Sequence, residues 1–157
     1  MQFMVDEVAD ILRTTRRVAV VGASARPERA GNYVFAFLVA RGFEVTGVNP
    51  GLAGQTLHGR PVVAGLEDAG ALDMVDIFRS SEQAGAVVDE AIRLGARTVW
   101  MQLGVIDEAA AGRARAAGLR VVMDRCPLQE WGRLGLALEA ELKPDQVVGA
   151  RRLDRNP

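Results

Sequence analysis

Residues that can bind anions follow the apolar segments of this chain at several places. The first group is Gly22, Ala23 and Ser24, which come directly after an apolar run that ends at Val21. A buried strand that passes through a small-residue turn into a helix leaves backbone N–H groups free, and it places the positive end of the helix dipole beside them. Such a turn binds phosphate, so it predicts a nucleotide site. In the alternative interpretation, Gly22 only permits a tight turn between strand and helix.

The turn departs from the fingerprint of NAD-binding domains in two places. That fingerprint has a second glycine where Ser24 stands, and an acidic residue at the end of the second strand that binds the ribose hydroxyls. Here the second strand is predicted at residues 43–48, and Asn49 and Pro50 follow it. A carboxylate at this place would repel a ribose that already carries a phosphate. The pattern therefore favours a ribose-phosphorylated nucleotide such as coenzyme A (CoA) or NADP.

The ends of the other predicted strands carry residues of the same kinds. The first turn itself contains two arginines, Arg26 and Arg29. The positions after the second, fourth, fifth and sixth strands are occupied by Asn49, Pro50, Phe78, Arg79, Ser80, Gln102, Arg125 and Cys126. In an open parallel sheet, ligands bind outside the carboxyl ends of the strands, near the point where the strand order reverses. Arginines, amides, hydroxyls and glycines at these ends predict an anion-binding edge.

Predicted strands alternate with predicted helices along the chain. Helices are predicted at 1–14, 31–41, 81–94, 107–117 and 127–140, and strands at 18–21, 43–48, 61–63, 73–78, 97–102 and 119–124. Alternating strands and helices with short connections require a parallel sheet with right-handed crossovers. We expect a single α/β domain over residues 1–140, which includes an N-terminal helix at 1–14, and a polar C-terminal tail at 141–157.

The composition narrows the class of partner and the compartment. The chain has 157 residues with 19 basic and 20 acidic side chains, and this balance gives no sign of a nucleic-acid surface. Charges interrupt the N-terminal segment, which is typical neither of a secretion signal nor of a membrane span. The single cysteine cannot form an intramolecular disulfide and fits a reducing compartment. We therefore expect a cytoplasmic protein with no nucleic-acid and no membrane partner.

The sequence predicts no catalytic residue and no metal site. Nothing indicates that any two of Asp73, Asp76 and Asp124 converge as an acid and base pair, so they are expected as polar residues at strand ends. The only histidine, His58, has no cysteine or carboxylate at metal-ligand spacing. An enzymatic activity is left undecided, with binding favoured over catalysis.

Five ordered motifs resemble the small stand-alone CoA-binding proteins, which are similar in turn to the N-terminal domain of the α subunit of succinyl-CoA synthetase. The motifs are Val-Val-Gly-Ala-Ser at 20–24, Val-Asn-Pro at 48–50, Val-Asp-Ile-Phe-Arg at 75–79, Gly-Ala-Arg-Thr-Val-Trp-Met-Gln-Leu-Gly-Val at 95–105 and Met-Asp-Arg-Cys-Pro at 123–127. The resemblance implies a Rossmann-like, doubly wound parallel sheet in three layers that holds CoA through its ADP portion. It implies no established reaction.

The resemblance also implies a set of ligand contacts. Together with the arginines of the first turn, the cofactor-binding residues are Gly22, Ala23, Ser24, Arg26, Arg29, Asn49, Pro50, Phe78, Arg79, Ser80, Gln102 and Cys126. The first turn would lie against a phosphate, and the residues after the second strand along the adenosine. Those after the fourth strand would flank the adenine and the phosphates, and the last two would lie toward the pantetheine arm.

Two positions depart from the pattern of the resemblance. The synthetase has a phosphate-binding lysine where this chain has Leu52, so Arg26, Arg29 or Arg79 must supply the missing charge or the affinity will be low. Stand-alone relatives usually show Pro-Ser where this chain has Ala-Gly at 30–31, which leaves a hydroxyl contact there open.

Several of these residues have a second interpretation. Arg79 could be an ordinary surface arginine instead of a phosphate ligand. Phe78 and Trp100 could both belong to the core, although Phe78 at a strand end is the better placed to stack on adenine. Cys126 could be a small buried apolar residue, which is slightly favoured, or a reactive thiol whose thiolate is favoured by the neighbouring Arg125. The reactive interpretation predicts a mixed disulfide with CoA and requires an exposed sulfur.

The leading functional hypothesis is non-catalytic binding of CoA or an acyl-CoA, as a sensor or a carrier. An NADP-dependent or redox-linked enzyme is the first alternative. A detached subunit of an acyl-CoA synthetase, which would have that enzyme as its partner, is the second. The acyl group, the affinity and the oligomeric state do not follow from the sequence.

Overall fold

The computed structural model of the chain describes residues 2–141, and the predicted tail beyond Glu141 lies outside the described residues. Helices lie at Gln2–Thr14 (α1), Ala30–Ala40 (α2), Ser81–Arg93 (α3), Glu108–Ala116 (α4) and Pro127–Glu141 (α5). Strands lie at Arg17–Val21 (β1), Glu44–Val48 (β2), Thr56–Leu57 (β3), Arg60–Val63 (β4), Met74–Ile77 (β5), Thr98–Met101 (β6) and Arg120–Met123 (β7). The predicted elements begin and end within one residue of these bounds. The short strand β3 was not predicted, nor were the 3-10 turns Pro50–Leu52 and Leu66–Ala69.

The strands form one sheet in the order β3-β4-β2-β1-β5-β6-β7. Neighbouring strands are parallel except β3 and β4, which are antiparallel. From β1 the chain builds outward through β2 to β4 and then returns to the other side of β1 with β5, β6 and β7. The strand order therefore reverses between β1 and β5, which is where open α/β sheets bind ligands. The predicted doubly wound, Rossmann-like sheet is confirmed.

Helices cover both faces of the sheet and make three layers. On one face, α3 and α4 pack through small residues onto the odd-numbered side chains of β1, β5 and β6. On the other face, α1, α2 and α5 pack onto the alternate side chains of the same strands, and the core there includes Phe35, Trp100 and Trp131. Strands buried on both faces read as nearly continuous apolar runs, as these do.

The N-terminal helix is fixed to the sheet by apolar packing and by one ion pair. Val8, Ile11 and Leu12 are buried on the α2 and α5 side of the sheet. At the surface, Asp10 lies 2.6 Å from the guanidinium of Arg120 at the start of β7. The hydrogen bond from Arg120 holds the pKa of the Asp10 carboxyl below its usual value. No helix in the described part of the chain is both long and apolar enough to cross a membrane.

Candidate functional site

The turn after β1 has a backbone shape that only glycine at position 22 can adopt. Gly22 has a φ of 96°, in the region that side chains disfavour. A Cβ on this residue would lie 2.3 Å from the carbonyl oxygen of Phe78, which follows β5. The Gly22 N–H donates to the carbonyl of Val48 at the end of β2. Gly22 is therefore the point at which the carboxyl ends of β1, β2 and β5 meet.

The next residues of this turn present free backbone donors. Within residues 2–141, the N–H groups of Ala23, Ser24 and Ala25 donate to no protein acceptor. The turn closes on itself, since the Ser24 hydroxyl accepts from the Arg26 N–H at 3.1 Å and the Arg29 N–H donates to the Arg26 carbonyl. Helix α2 begins immediately afterwards, and no side chain caps its first turn. Three consecutive free donors beside a helix N-terminus are a candidate site for an anion.

Two asparagine side chains hold the turn in this shape. The amide of Asn49 donates to the Ala23 carbonyl at 2.8 Å, and its oxygen accepts from the Gly51 N–H at 2.9 Å. From α2, the amide of Asn32 donates to the Ser24 carbonyl at 2.9 Å. Asn49 was predicted to line the adenosine, and its amide group is occupied with backbone partners. Sequence reasoning missed Asn32, although an asparagine inside an apolar helix is the signal that could have found it.

His58 reaches this region from the turn between β3 and β4. Its Nε2 atom lies 3.0 Å from the side-chain oxygen of Asn32, to which it donates in the tautomer protonated at Nε2. Its backbone φ of 49° lies in the left-handed region. The residues described hold no cluster of three or more His, Cys, Asp or Glu side chains that could bind a metal. The histidine therefore belongs to the set of side chains that shape the turn.

A second glycine, Gly31 in the first turn of α2, allows this helix to approach the turn. A Cβ at Gly31 would lie 2.3 Å from the carbonyl oxygen of Gly22. The third glycine of a dinucleotide fingerprint has the same task of close packing between helix and strand. From the sequence, Gly31 was noted only as a position without the hydroxyl found in stand-alone relatives. Its role in packing was not predicted.

Three arginines of the predicted set carry charge to this edge without a carboxylate partner among the described residues. Arg26 and Arg29 are exposed on the turn, and Arg79 is half-buried after β5. No ion pair among the side chains described at residues 7–135 involves any of the three. Leu52, at the place of the lysine found in the synthetase, is half-buried at the end of a 3-10 turn. The positive charge that a phosphate could meet at this edge therefore comes from these arginines and not from a lysine at position 52.

The segment after β5 lies directly beside the turn. The Phe78 N–H donates to the Val21 carbonyl at 2.8 Å, and its half-buried ring packs against the core on the α2 side. Ser80 is the N-cap residue of α3 and is exposed, and its hydroxyl makes no capping hydrogen bond. Phe78, Arg79 and Ser80 thus stand next to Gly22 across the reversal in strand order. Pro50, by contrast, is an exposed residue of the 3-10 turn after β2.

Gln102 and Asp76 are buried polar residues at the neighbouring strands. Gln102 follows β6, is 6% exposed, and its N–H donates to the Ile77 carbonyl. The expectation that Asp76 is a polar residue at a strand end is wrong. It lies inside β5 at 0% exposure, because helices cover both faces of this central strand. Burial alone raises the pKa of its carboxyl well above the usual value.

Cys126 is not placed at the mouth of the edge. It is 5% exposed and packs in the core formed with α1, α2 and α5. At a strand spacing of about 4.8 Å, the three steps from β1 to β7 place its segment roughly 14 Å from β1. Its neighbour Arg125 lies 3.6 Å from Glu130 on α5, so this arginine is already paired. The structure therefore does not provide the exposed sulfur that the reactive interpretation requires.

A cleft opens at the amino ends of the strands, on the opposite side of the sheet from the turn after β1. It has a volume of about 570 Å³ and is lined by residues that include Asp10, Thr15, Asp73, Arg97 and Arg120. There the Asp73 carboxylate accepts hydrogen bonds from the backbone N–H groups of Arg16 and Arg17 at the start of β1. Ligands of open α/β sheets bind at the carboxyl ends of the strands, whereas this cleft lies at the amino ends. We therefore place the candidate site at the turn after β1.

A doubly wound sheet whose reversal point carries free N–H donors and unpaired arginines defines a nucleotide-binding domain of the Rossmann type. Comparison with known sequences shows to which family of such domains the chain belongs. The sequence model described as CoA binding domain, CoA_binding_2, matches residues 16–132, and the chain belongs to this family.

Individual proteins resemble the chain in sequence or in fold. The chain is 35% identical over 120 residues to the protein YneT of Bacillus subtilis (strain 168), a match that covers 76% of this chain and 88% of YneT. A solved Thermus thermophilus structure, cell-free ID.343, is 33% identical with a TM-score of 0.78, covering 83% of this chain and 98% of that one. A dinucleotide-forming acetyl-coenzyme A synthetase of Ca. Korarchaeum cryptofilum shares the fold at 23% identity and a TM-score of 0.62. This match covers 73% of the present chain and 27% of the synthetase chain.

Proposed function

We propose that this protein binds CoA or an acyl-CoA through its ADP portion without catalysing a reaction, and that it acts as a sensor or a carrier. The observation that carries this proposal is the turn after β1. Its three free N–H groups lie beside the N-terminus of α2 and beside unpaired arginines, at the reversal in strand order. Membership of the CoA binding domain family supports CoA as the ligand.

The end of β2 supports a ligand with a phosphate on its ribose. Asn49 stands where an NAD-binding domain has its carboxylate, and it is held in place by hydrogen bonds to Ala23 and Gly51. A neutral amide does not repel a phosphate at this position, whereas a carboxylate would. Arg26, Arg29 and Arg79 provide charge-assisted donors for the phosphates. We propose a cytoplasmic location because the single cysteine fits a reducing compartment.

A detached subunit of an acyl-CoA synthetase is the second candidate. It is favoured by one observation, the match of this fold to about a quarter of a synthetase chain. In that case the activated acyl group would come from partner domains, and this chain would supply the CoA. Size-exclusion chromatography with candidate synthetase subunits, with and without CoA, tests for such a complex.

A thermal-shift series with CoA, 3′-dephospho-CoA, NAD and NADP tests the leading proposal. Ligand at about 100 times its dissociation constant stabilises a protein by roughly 2.7 kcal/mol. We expect CoA to raise the melting temperature most, 3′-dephospho-CoA less, and NAD not at all. A shift with NADP but none with CoA would refute the proposal and favour an NADP-dependent enzyme. Mass spectrometry of ligand released from the purified protein identifies the acyl group.

A further inference from the structure

Two buried polar side chains have acceptor atoms without partners. Among the side chains described, those of residues 7–135, these atoms are both carboxyl oxygens of Asp76 and the side-chain oxygen of Gln102. The two residues are 0% and 6% exposed. Folded proteins leave few buried polar atoms without a hydrogen bond, and those that remain often mark a functional site. These oxygens have no hydrogen-bond partner among the side chains described at residues 7–135.

Both side chains belong to the same face of the sheet. In the register of β5 with β6, Asp76 is opposite Trp100, and Gln102 follows two residues later. Side chains alternate along a strand, so Asp76, Trp100 and Gln102 lie on the face covered by α1, α2 and α5. One strand spacing and two residues of rise separate their Cα atoms by about 8 Å. A single small group could contact both side chains.

This pair lies just inside the candidate nucleotide site. On β1, Val20 is opposite Asp76, and the next position on that face is Gly22, which has no side chain. On β5 itself the next position on that face is Phe78, which is half-buried at the edge. These oxygens are therefore one pleat deeper in the sheet than the turn whose free N–H groups are proposed to bind a phosphate. A chain that continues from the phosphates would approach them from this end of the strands.

The surroundings determine the class of group that fits. Burial is the cause of the raised pKa of Asp76, and no charged neighbour contributes to it. An environment that favours the neutral acid does not favour a cation. The side-chain oxygen of Gln102 can only accept a hydrogen bond. A neutral Asp76 carries one O–H donor and keeps an acceptor oxygen. A neutral group that both donates and accepts, such as an amide or a hydroxyl, fits this pair.

We propose that Asp76 and Gln102 bind a neutral amide or hydroxyl group on the part of the ligand that extends beyond the pyrophosphate. This inference rests on the proposed function, because CoA carries amide and hydroxyl groups on the arm attached to its diphosphate. Asp76 would act as a specificity-determining residue, because it would contact the arm, whereas the turn after β1 would bind the nucleotide. A buried polar group that reduces stability and serves binding is a common compromise at functional sites.

The test compares two ligands by calorimetry: CoA, and ADP carrying a 3′-phosphate, which is its nucleotide half without the arm. Asp76→Val and Gln102→Met remove the acceptors while keeping the sites apolar and filled. Thr98→Val is the matched control, because Thr98 is buried at the start of β6 and strand alternation places it on the same face as Trp100. We expect the parent protein to bind CoA about tenfold or more tightly than the nucleotide half. The nucleotide half lacks the arm and so cannot form the buried hydrogen bonds to Asp76 and Gln102.

Each acceptor variant should lose most of this advantage for CoA and keep its affinity for the nucleotide half, and the control should change neither affinity. Asp76→Val should also melt at a higher temperature without ligand, because it removes an unpartnered buried group. Should this variant fail to fold, Gln102→Met decides the question by itself. Unchanged CoA affinity in the acceptor variants, or equal affinity of the parent for both ligands, would overturn this site alone. Failure of the parent to bind either ligand would overturn the proposed function and this site together.

Discussion

The carbonyl oxygen of Gly22 and the α-carbon of Gly31 are packed so closely that a Cβ on Gly31 would lie 2.3 Å from that oxygen. This contact joins the first turn of α2 to the turn after β1. Both partners are backbone atoms, so neither can rotate away as a flexible side chain could. The free N–H groups at 23–25 therefore keep their place only while both glycines are present.

Gly31→Ala is expected to destabilise the protein, because the methyl group forces α2 away from the turn. Overpacking of this kind typically costs about 1 to 3 kcal/mol. Gly112→Ala is the matched control, since Gly112 lies in α4 with nothing within 4 Å of its added Cβ. The control should stabilise the protein by about 0.5 to 1 kcal/mol through helix propensity. Urea unfolding of both variants measures the difference, and a Gly31→Ala variant as stable as its parent would contradict the packing role.

Asn49→Asp is expected to lower the affinity for CoA more than the affinity for 3′-dephospho-CoA. The substitution places a carboxylate at the end of β2, where it repels a ribose phosphate, and it removes the donor that the Ala23 carbonyl uses. The oxygen that accepts from Gly51 is kept, so the 3-10 turn should remain intact. Calorimetry with the two ligands gives the ratio of affinities. An unchanged ratio would show that the ribose does not lie at Asn49.

Arg79→Ala is expected to weaken CoA binding by about 1.5 to 3 kcal/mol, or roughly 10- to 100-fold, if its guanidinium pairs with a phosphate. Arg29→Ala should weaken binding similarly if Arg29 supplies the positive charge that a lysine provides in the synthetase, at the place where this chain has Leu52. Arg115→Ala is the control, because Arg115 is an exposed arginine of α4 that changes the net charge by the same amount. Affinities of the first two variants equal to that of the control would remove both arginines from the site.

Local signals in the sequence account for the elements that were predicted well. Largely apolar runs predict β1, β5, β6 and β7, because strands buried on both faces leave a nearly continuous pattern. The two-residue strand β3 has no such pattern of its own. It exists because Thr56 and Leu57 pair with the edge strand β4 across the turn at His58. A pairing of this length depends on the sheet that is already formed.

The candidate site was predictable as a set of strand ends and less so as a set of contacts. Any parallel sheet brings Gly22, Asn49, Phe78 and Gln102 to one edge, so the sequence order was sufficient for that. The contact between Asn32 and Ser24 depends on the position of α2 over the turn, which local pattern does not give. Asp76 could have been recognised, since a residue inside a strand covered on both faces must be buried.

Asp76→Asn is expected to gain stability relative to the parent as the pH rises above the ordinary carboxyl pKa. Burial raises the pKa of Asp76 in the folded state. Between the unfolded and the folded pKa the folded protein therefore holds a proton that the unfolded chain has released, and stability falls with rising pH by up to about 1.4 kcal/mol per pH unit. Asparagine does not titrate, so it lacks this loss.

Denaturant unfolding of the parent and of Asp76→Asn at pH values from about 3 to 8 measures this effect, because the window begins near the unfolded carboxyl pKa of about 3.9. The difference in unfolding free energy should be constant at the acidic end and should grow in favour of the variant above it. A difference that stays constant over the whole range would show that Asp76 ionises as easily in the folded protein as in the unfolded chain.

Cys126 is expected to resist modification in the native protein. This expectation is the opposite of the mixed disulfide that the reactive interpretation of the sequence predicts. Its side chain is 5% exposed in the core beneath α5, and the arginine beside it is engaged with Glu130. A disulfide can form only when a thiolate reaches the sulfur that it attacks, so burial should slow the reaction to the rate at which the core opens. Intact-mass spectrometry after incubation with CoA disulfide should therefore show an unmodified native protein. The same treatment in denaturant should add the mass of one CoA less two hydrogens, and Cys126→Ser should prevent this addition. A rapid adduct on the folded parent that Cys126→Ser abolishes would show instead that the sulfur is within reach of CoA in solution.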